Sequence, residues 1–347
     1  MQGMTRIPSY SQLQHRTIFG LSLAPGIFFG LLWLVLMKAP APVDSFDVII
    51  KLTENPSERA RDAPTDHRKV PDTKINQAGC GTAEPLGRVI FGESVSNRRQ
   101  MPWIVELGSV TRNGSLLLCG GSIISSNVIL TAAHCVSYLF GEGDAVVVIV
   151  FYNSTKKLTG VRTYAESMMP HPQYDPVHSY DVALLKLQEP LKFDAFVKPI
   201  CLPTHKIRVQ GKPLLGAGWG RIGVGNKSST KLLYTELHAL EDIICSISTK
   251  GRKLEGTDQE LVVGPSICTN EMKSTCKGDS GGPLSLLGAN GKSVLVGITS
   301  LGTVCSTEKV NYGTYARVSA YMTWIKSALA DPDEWRPLLT DRVIELN

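Results

Sequence analysis

From Val89 to residue 330 the sequence predicts an all-β domain of sandwich or barrel type, closed by one C-terminal helix. Short runs of Val, Ile and Leu recur at strand length: Ile104–Leu107, Leu116–Ile124, Val128–Thr131, Ala145–Phe151, Val182–Leu187 and Val294–Thr299. Gly, Pro, Asn and Ser separate them, which is the turn chemistry of an antiparallel fold. Near the end the period changes. Val318, Tyr321, Ile325, Ala328 and Leu329 recur at steps of three or four, with Ser319 as a candidate N-cap. Asp331-Pro332 then stops the helix, since proline lacks the amide that would continue it.

The N-terminal part has a different texture. Ile18 to Met37 is almost wholly apolar and uncharged, preceded by Arg6, His15 and Arg16 and followed by Lys38. Its length suits a bilayer span, and its basic flank suits either the n-region of a signal peptide or a retained anchor. The excess of basic residues ahead of it keeps the N-terminus cytosolic and sends the rest of the chain into the secretory lumen. Residues 1–38 are therefore expected to be a targeting segment with its apolar core at 18–37. The product is secreted if the segment is cleaved, or a single-pass type II membrane protein if it is kept. Residues 39–79 are rich in Pro, Asp, Lys, Arg and Thr, with only Val48-Ile49-Ile50 able to pack, and read as a linker or propeptide. The tail from Asp333 to Asn347 carries no pattern.

Composition narrows the class. The chain has 347 residues, 43% of them hydrophobic and 19% charged, which suits a packed body. Its net charge of +5 is spread over single and paired basic residues such as Arg98-Arg99 and Lys156-Lys157, which excludes a nucleic-acid-binding arm. Eight cysteines behind an apolar leader favour an oxidising compartment and four disulfides. There is no CxxC or HxxxH pair, and His134 beside Cys135 cannot build a tetrahedral site alone, so no metal is expected.

Gly278-Asp279-Ser280-Gly281-Gly282 is the first candidate for chemistry. Glycines around a serine allow a sharp turn and leave amides free to face a developing oxyanion. A tight turn with no chemistry fits the same residues. An α/β-hydrolase elbow does not, because that class places its histidine after the serine and all seven histidines here precede Ser280. Of these, His15 and His67 lie outside the β-rich region, and His171, His178, His205 and His238 sit among polar residues. His134 ends an apolar strand among small neighbours, in Thr131-Ala132-Ala133-His134-Cys135. Asp181 heads the apolar run to Leu187, where a carboxylate needs a partner. Taken singly, each also fits a structural role.

Together Thr131–Cys135, Asp181–Leu187, Gly218-Trp219-Gly220 and Cys276–Leu284 resemble the chymotrypsin-like (trypsin-like) serine protease family, over residues 80 to 330. The resemblance implies two six-stranded antiparallel β-barrels with a C-terminal helix and the site between them. It implies a serine endopeptidase without a cofactor, in which Ser280 is the nucleophile, His134 the base and Asp181 its orienting acid. Gly278 and Ser280 would form the oxyanion hole. Implied disulfides are Cys80–Cys201, Cys119–Cys135, Cys245–Cys268 and Cys276–Cys305. Another frequent family bridge is replaced by Leu214 and Leu286, which are expected to pack together.

The resemblance also places a specificity pocket. Ser274, six positions before Ser280, falls at its floor, Gly302 and Gly313 on its walls, and Ser300 and Leu301 at its rim. A neutral floor implies cleavage after Phe, Tyr, Leu or Met; the alternatives are trypsin-like specificity and a non-catalytic homologue that only binds partners. Residues 39–88 would be a propeptide cut from residues 89–330 after Arg88 by a trypsin-like enzyme and kept attached by Cys80–Cys201. The new Val89 amino group would then pair with Asp279. Expected partners are protein or peptide substrates, that activating protease and protein inhibitors such as serpins. Membrane contact is expected only through residues 18–37. Asn113, Asn153 and Asn226 open glycosylation sequons. Tyr152–Gly160 has no carboxylate, so no structural calcium is expected.

Overall fold

The computed structural model describes residues 48–50, 75–87, 93–112, 114–137, 144–175, 180–222, 227–250, 264–271, 274–302, 311–331, 334–339 and 344–346. The expectations for Ile18–Met37, Arg88, Val89, Asn113, Asn226 and Cys305 lie outside them.

Six antiparallel strands form the first barrel: β3 (Ile104–Thr111), β4 (Leu116–Ile123), β5 (Val128–Thr131), β6 (Ala145–Tyr152), β7 (Val161–Pro170) and β8 (Ala183–Leu187). Pairing of β7 with β8 closes it. Six more form the second sheet, in the order β11 (Ser266–Glu271), β14 (Asn311–Arg317), β13 (Ser293–Gly302), β12 (Pro283–Leu287), β9 (Pro213–Gly218), β10 (Leu233–His238). Each gains one short edge strand: β2 (Glu93–Ser94) on β10 and β15 (Arg336–Pro337) on β7. A separate ribbon pairs β1 (Val48–Ile50) with β16 (Ile344–Leu346). This is the fold class expected, including the closing helix α2 (Val318–Ala330).

Continuous apolar burial drives the central strands of the first barrel, β3 and β5 being buried at every position. Ile104, Leu107, Ile129, Leu130, Leu184 and Leu185 are fully buried, each contributing roughly 1.5–3 kcal/mol relative to exposure. The α2 stripe Val318, Tyr321, Ile325, Ala328 and Leu329 buries into the same cluster. Ser319 does not cap this helix. Arg317 occupies the N-cap and its side chain makes no capping hydrogen bond, so apolar burial rather than capping fixes the start. A second helix, α1 (Asp242–Thr249), was not expected from periodicity, and the reason is visible: Ile243, Ile244 and Ile247 are exposed. Its anchors are the Cys245–Cys268 disulfide and an Asp242–Arg317 ion pair.

Cys80–Cys201 and Cys119–Cys135 are likewise bonded, and Cys276 is in a disulfide. Leu214 and Leu286 stand directly opposite each other across β9 and β12, both buried in the cluster that includes Leu237, Ile267 and Val296. A side-chain contact therefore occupies the place of the missing bridge. Leu286→Ala should cost about 2–5 kcal/mol. Leu214→Ala should cost a similar amount, and the double variant less than their sum, because the two share one cavity. Urea unfolding of the three variants measures this.

Candidate active site

The first barrel delivers the histidine and the acid. Strand β5 ends at Thr131, and His134 sits in the 3-10 turn Ala133–Cys135 that follows, clamped by the Cys119–Cys135 disulfide. Its ring Nδ1 lies 2.7 Å from Asp181 Oδ2, and its backbone N–H donates to Asp181 Oδ1 at 2.9 Å. Burial alone would lower the imidazole pKa; the Asp181 charge and hydrogen bond outweigh it and hold it above the ordinary value. Burial would raise the Asp181 carboxyl. His134 and the Ser300 hydroxyl, which donates to Oδ2 at 2.6 Å, together hold it below the usual range. Ser300, read from the sequence as a pocket residue, thus gives its hydroxyl to the acid.

The second barrel brings the serine turn against β4 and the end of β5, the strand that leads to His134. Gly120 N donates to Ser280 O at 2.6 Å, and Gly281 N to Thr299 O at 2.7 Å. Gly281 has φ +77°, and any side chain there would collide with Thr131 Oγ1 and Gly120 O. Glycine is what allows the turn to lie on the strand end that leads into His134. Gly278 also has positive φ, and among the described residues the amides of Gly278 and Ser280 meet no acceptor. Two free amides flanking the serine can face an oxyanion.

Behind the turn, Asp279 is buried and accepts hydrogen bonds from Gly220 N at 2.7 Å and Cys276 N at 2.8 Å. Gly218 and Gly220 leave the space it fills. Burial pushes its carboxyl up to about 6 despite those amides and the charge of Lys157.

The expected pocket residues also converge. Ser274 Oγ, Thr269 Oγ1 and Tyr315 Oη lie 2.8–2.9 Å from the point where a Gly313 side chain would begin. Tyr315 Oη bonds Thr275 Oγ1 at 2.9 Å, whereas Ser274 Oγ and Thr269 Oγ1 are buried without a partner that meets hydrogen-bond geometry. Gly302 pairs with Gly313 across β13 and β14. The cluster around Gly313 is neutral and hydroxylic. Sequence reasoning found Ser274 but not Thr269, Thr275 or Tyr315, since no spacing announces hydroxyls that three separate segments contribute. Leu301 stands half-buried beside Gly302, and Asn153 is exposed with φ +58°.

Such a histidine–carboxylate pair beside a glycine-flanked serine, between two β-barrels, defines a serine hydrolase of the two-barrel type. The trypsin family model matches residues 90–325, and the chain belongs to the trypsin family of serine proteases. It is a serine endopeptidase. It is 31% identical to melanization protease 1 of Drosophila melanogaster over 74% of this chain and 69% of that one. It is 34% identical to serine protease SP24D of Anopheles gambiae over 70% and 82%, respectively. A solved HL collagenase structure matches with TM-score 0.57 and 27% identity, over 69% of this chain and 98% of that one. Among the described residues, no helix is long and apolar enough to cross a membrane.

The Asp279 carboxyl carries a stability consequence. Its pKa rises from 3.8 to about 6 on folding, so ionisation favours the unfolded chain. Its contribution is fully retained below 3.8 and lost as pH rises through 6, a loss of about 3 kcal/mol. Asp279→Asn should remove this slope; because its single amide oxygen can accept only one of the Gly220 and Cys276 N–H bonds, the variant should be less stable than the parent in acid, with the gap narrowing as pH rises through 6. Glu106, pushed up to about 7 by burial, slopes the same way in both proteins and cancels in the comparison. Urea unfolding of both chains across this pH range reads the difference.

Proposed function

We propose that this chain is a serine endopeptidase zymogen in which Ser280 attacks the scissile carbonyl, His134 takes the serine proton, and Asp181 holds the imidazole. The observation that carries the reading is the doubly bonded His134–Asp181 pair lying beside a strand end on which the Ser280 turn rests. With its Nδ1–H directed to Asp181, the imidazole has Nε2 free as the base. As the tetrahedral intermediate collapses to the acyl-enzyme, the imidazolium gives its proton to the leaving amine, and water then repeats the sequence on the acyl-enzyme. The amides of Gly278 and Ser280 hold the oxyanion at each tetrahedral stage.

The neutral floor of Ser274, Thr269 and Tyr315 supports cleavage after Phe, Tyr, Leu or Met, since it offers no carboxylate to a basic side chain. Residues 39–88 are then the propeptide and 89–330 the protease domain. Asp279 is buried against two amides, and its nearest charge influence is Lys157. A buried carboxylate in that state gains from a cation. Cleavage after Arg88 would provide one in the Val89 amino group. An arginine bond fits poorly in a pocket floored by Ser274, so the activator is a separate trypsin-like enzyme. Cys80–Cys201 keeps the cleaved propeptide attached. The relatives' names include a phenoloxidase-activating enzyme of Bombyx mori, of whose length the chain spans 63%, and a name of that kind supports a protein as the substrate here. Serpin-type inhibitors are further partners. The disulfides and the exposed Asn153 sequon fit an extracellular protein.

Purified zymogen should stay inactive alone. After trypsin treatment it should gain a Val89 N-terminus and label with a fluorophosphonate at Ser280. An activated chain that never labels is a binding module instead. Ser280→Ala should lose several orders of magnitude in turnover while keeping the fold. A peptide library should give cleavage after Phe, Tyr, Leu or Met, shifting toward Arg and Lys in Ser274→Asp; preference for Arg by the parent enzyme makes it trypsin-like. The reaction needs neutral His134, whose pKa stands above 6.5. Thus kcat/KM should fall as pH drops, with its acid midpoint above that value.

A further inference from the structure

The family match ends at residue 325, yet residues 334–339, beyond α2, lie against the first barrel. Trp335 is buried and its indole N–H donates to Ala328 O at 3.0 Å, turning the chain back along the helix. Arg336 and Pro337 then pair with Met168 and Ser167 as an extra strand on β7. Leu338 is buried; its amide donates to Glu166 O, and that of Leu339 to Val146 O, both at 2.8 Å. The tail thus spans from the closing helix to the start of β6.

One side chain of this tail reaches toward the active site. Arg336 Nη1 lies 3.0 Å from Asp144 Oδ2. The other oxygen of that carboxylate accepts from Ser137 Oγ at 2.7 Å. Ser137 N donates to Ala133 O at 2.8 Å, closing the turn that carries His134, and Ala145 N donates to Val136 O at 2.9 Å. The chain of contacts Arg336–Asp144–Ser137–Ala133 therefore braces the exit of the histidine turn. The Cys119–Cys135 disulfide holds the turn itself.

We propose that the C-terminal tail is a strap, and that Arg336 is a positioning residue that fixes, through Asp144 and Ser137, the wall of the substrate groove beyond His134. This rests on the proposed role of His134. Because the imidazole protonates the leaving amine, substrate residues that follow the scissile bond pass along its side of the groove. The strap therefore acts on how those residues bind and not on the pocket of Ser274. The Arg336–Asp144 pair is partly exposed, with side chains 53% and 37% accessible, so its weight is that of a surface ion pair with one added hydrogen bond.

The test uses the activated full-length chain and the variants Arg336→Gln and Arg336→Lys. For a peptide with several residues after the scissile bond, Arg336→Gln should raise KM by up to about five-fold with kcat little changed. A p-nitroanilide, which has no residue there, should be hydrolysed as by the parent, and Arg336→Lys should restore the peptide KM. Equal effects on both substrates, or none on the peptide, overturn the proposal. Amide hydrogen exchange provides a readout that does not need activity: protection at Val136, Ser137 and Ala145 should fall in Arg336→Gln and return in Arg336→Lys. Unchanged protection also overturns the proposal. A parent enzyme that exchanges as expected but hydrolyses neither substrate places the failure with the proposed function instead.

Discussion

One buried carboxylate ties the two barrels together. Asp181 comes from the first barrel and accepts from the ring and the backbone of His134 on its own side; from the second barrel it receives the Ser300 hydroxyl. An ionised carboxylate in this position is stable only because donors from several elements surround it. Those donors are in place only when both barrels are folded and docked. The residue before it shares the constraint. Tyr180 has φ +25°, uncommon for a bulky residue, and stacks on His171 at 5.0 Å, with Tyr321 and Trp324 of α2 around the same imidazole. The closing helix thereby packs against the strand end that presents the acid.

The second barrel holds a different kind of acid. Asp279 has two amide donors where Asp181 has a histidine and a hydroxyl, and the difference appears in opposite shifts of two buried aspartates. The environment, not the residue type, sets each role. Glu106 follows the same rule: buried in β3, it accepts the Leu158 amide at 2.6 Å. It helps hold the segment that also reaches the second barrel, where Thr155 O accepts from Trp219 Nε1 and Leu232 N.

The strands that sequence reading located are those whose apolar residues are buried on both sides, β3 to β6 and β8 foremost. Strands such as β7 escaped it because Arg162, Thr163, Glu166 and Ser167 interrupt the apolar pattern, while backbone pairing with β6 and β8 holds the strand regardless. Helix α1 escaped because its isoleucines face solvent. His134, Asp181 and Ser280 could be singled out by chain order and by the texture around each. The support around them could not. The Thr269 and Tyr315 hydroxyls, the donation from Ser300 and the docking of Trp335 depend on contacts between distant segments, which leave no period in the sequence. The Leu214–Leu286 contact could be anticipated because both positions depart from one pattern together.

That contact has a bearing on the order in which the molecule can assemble. A disulfide between β9 and β12 would have to wait for an oxidant, and thiol exchange takes seconds to hours. Two leucines need only collapse, which takes on the order of 10–100 microseconds for a chain of about 100 residues. The central pairing of the second barrel is thus independent of the redox state in which the chain emerges. Oxidation ties other segments: Cys80 to Cys201, the histidine turn through Cys119–Cys135, α1 to β11 through Cys245–Cys268, and Cys276 ahead of the serine turn.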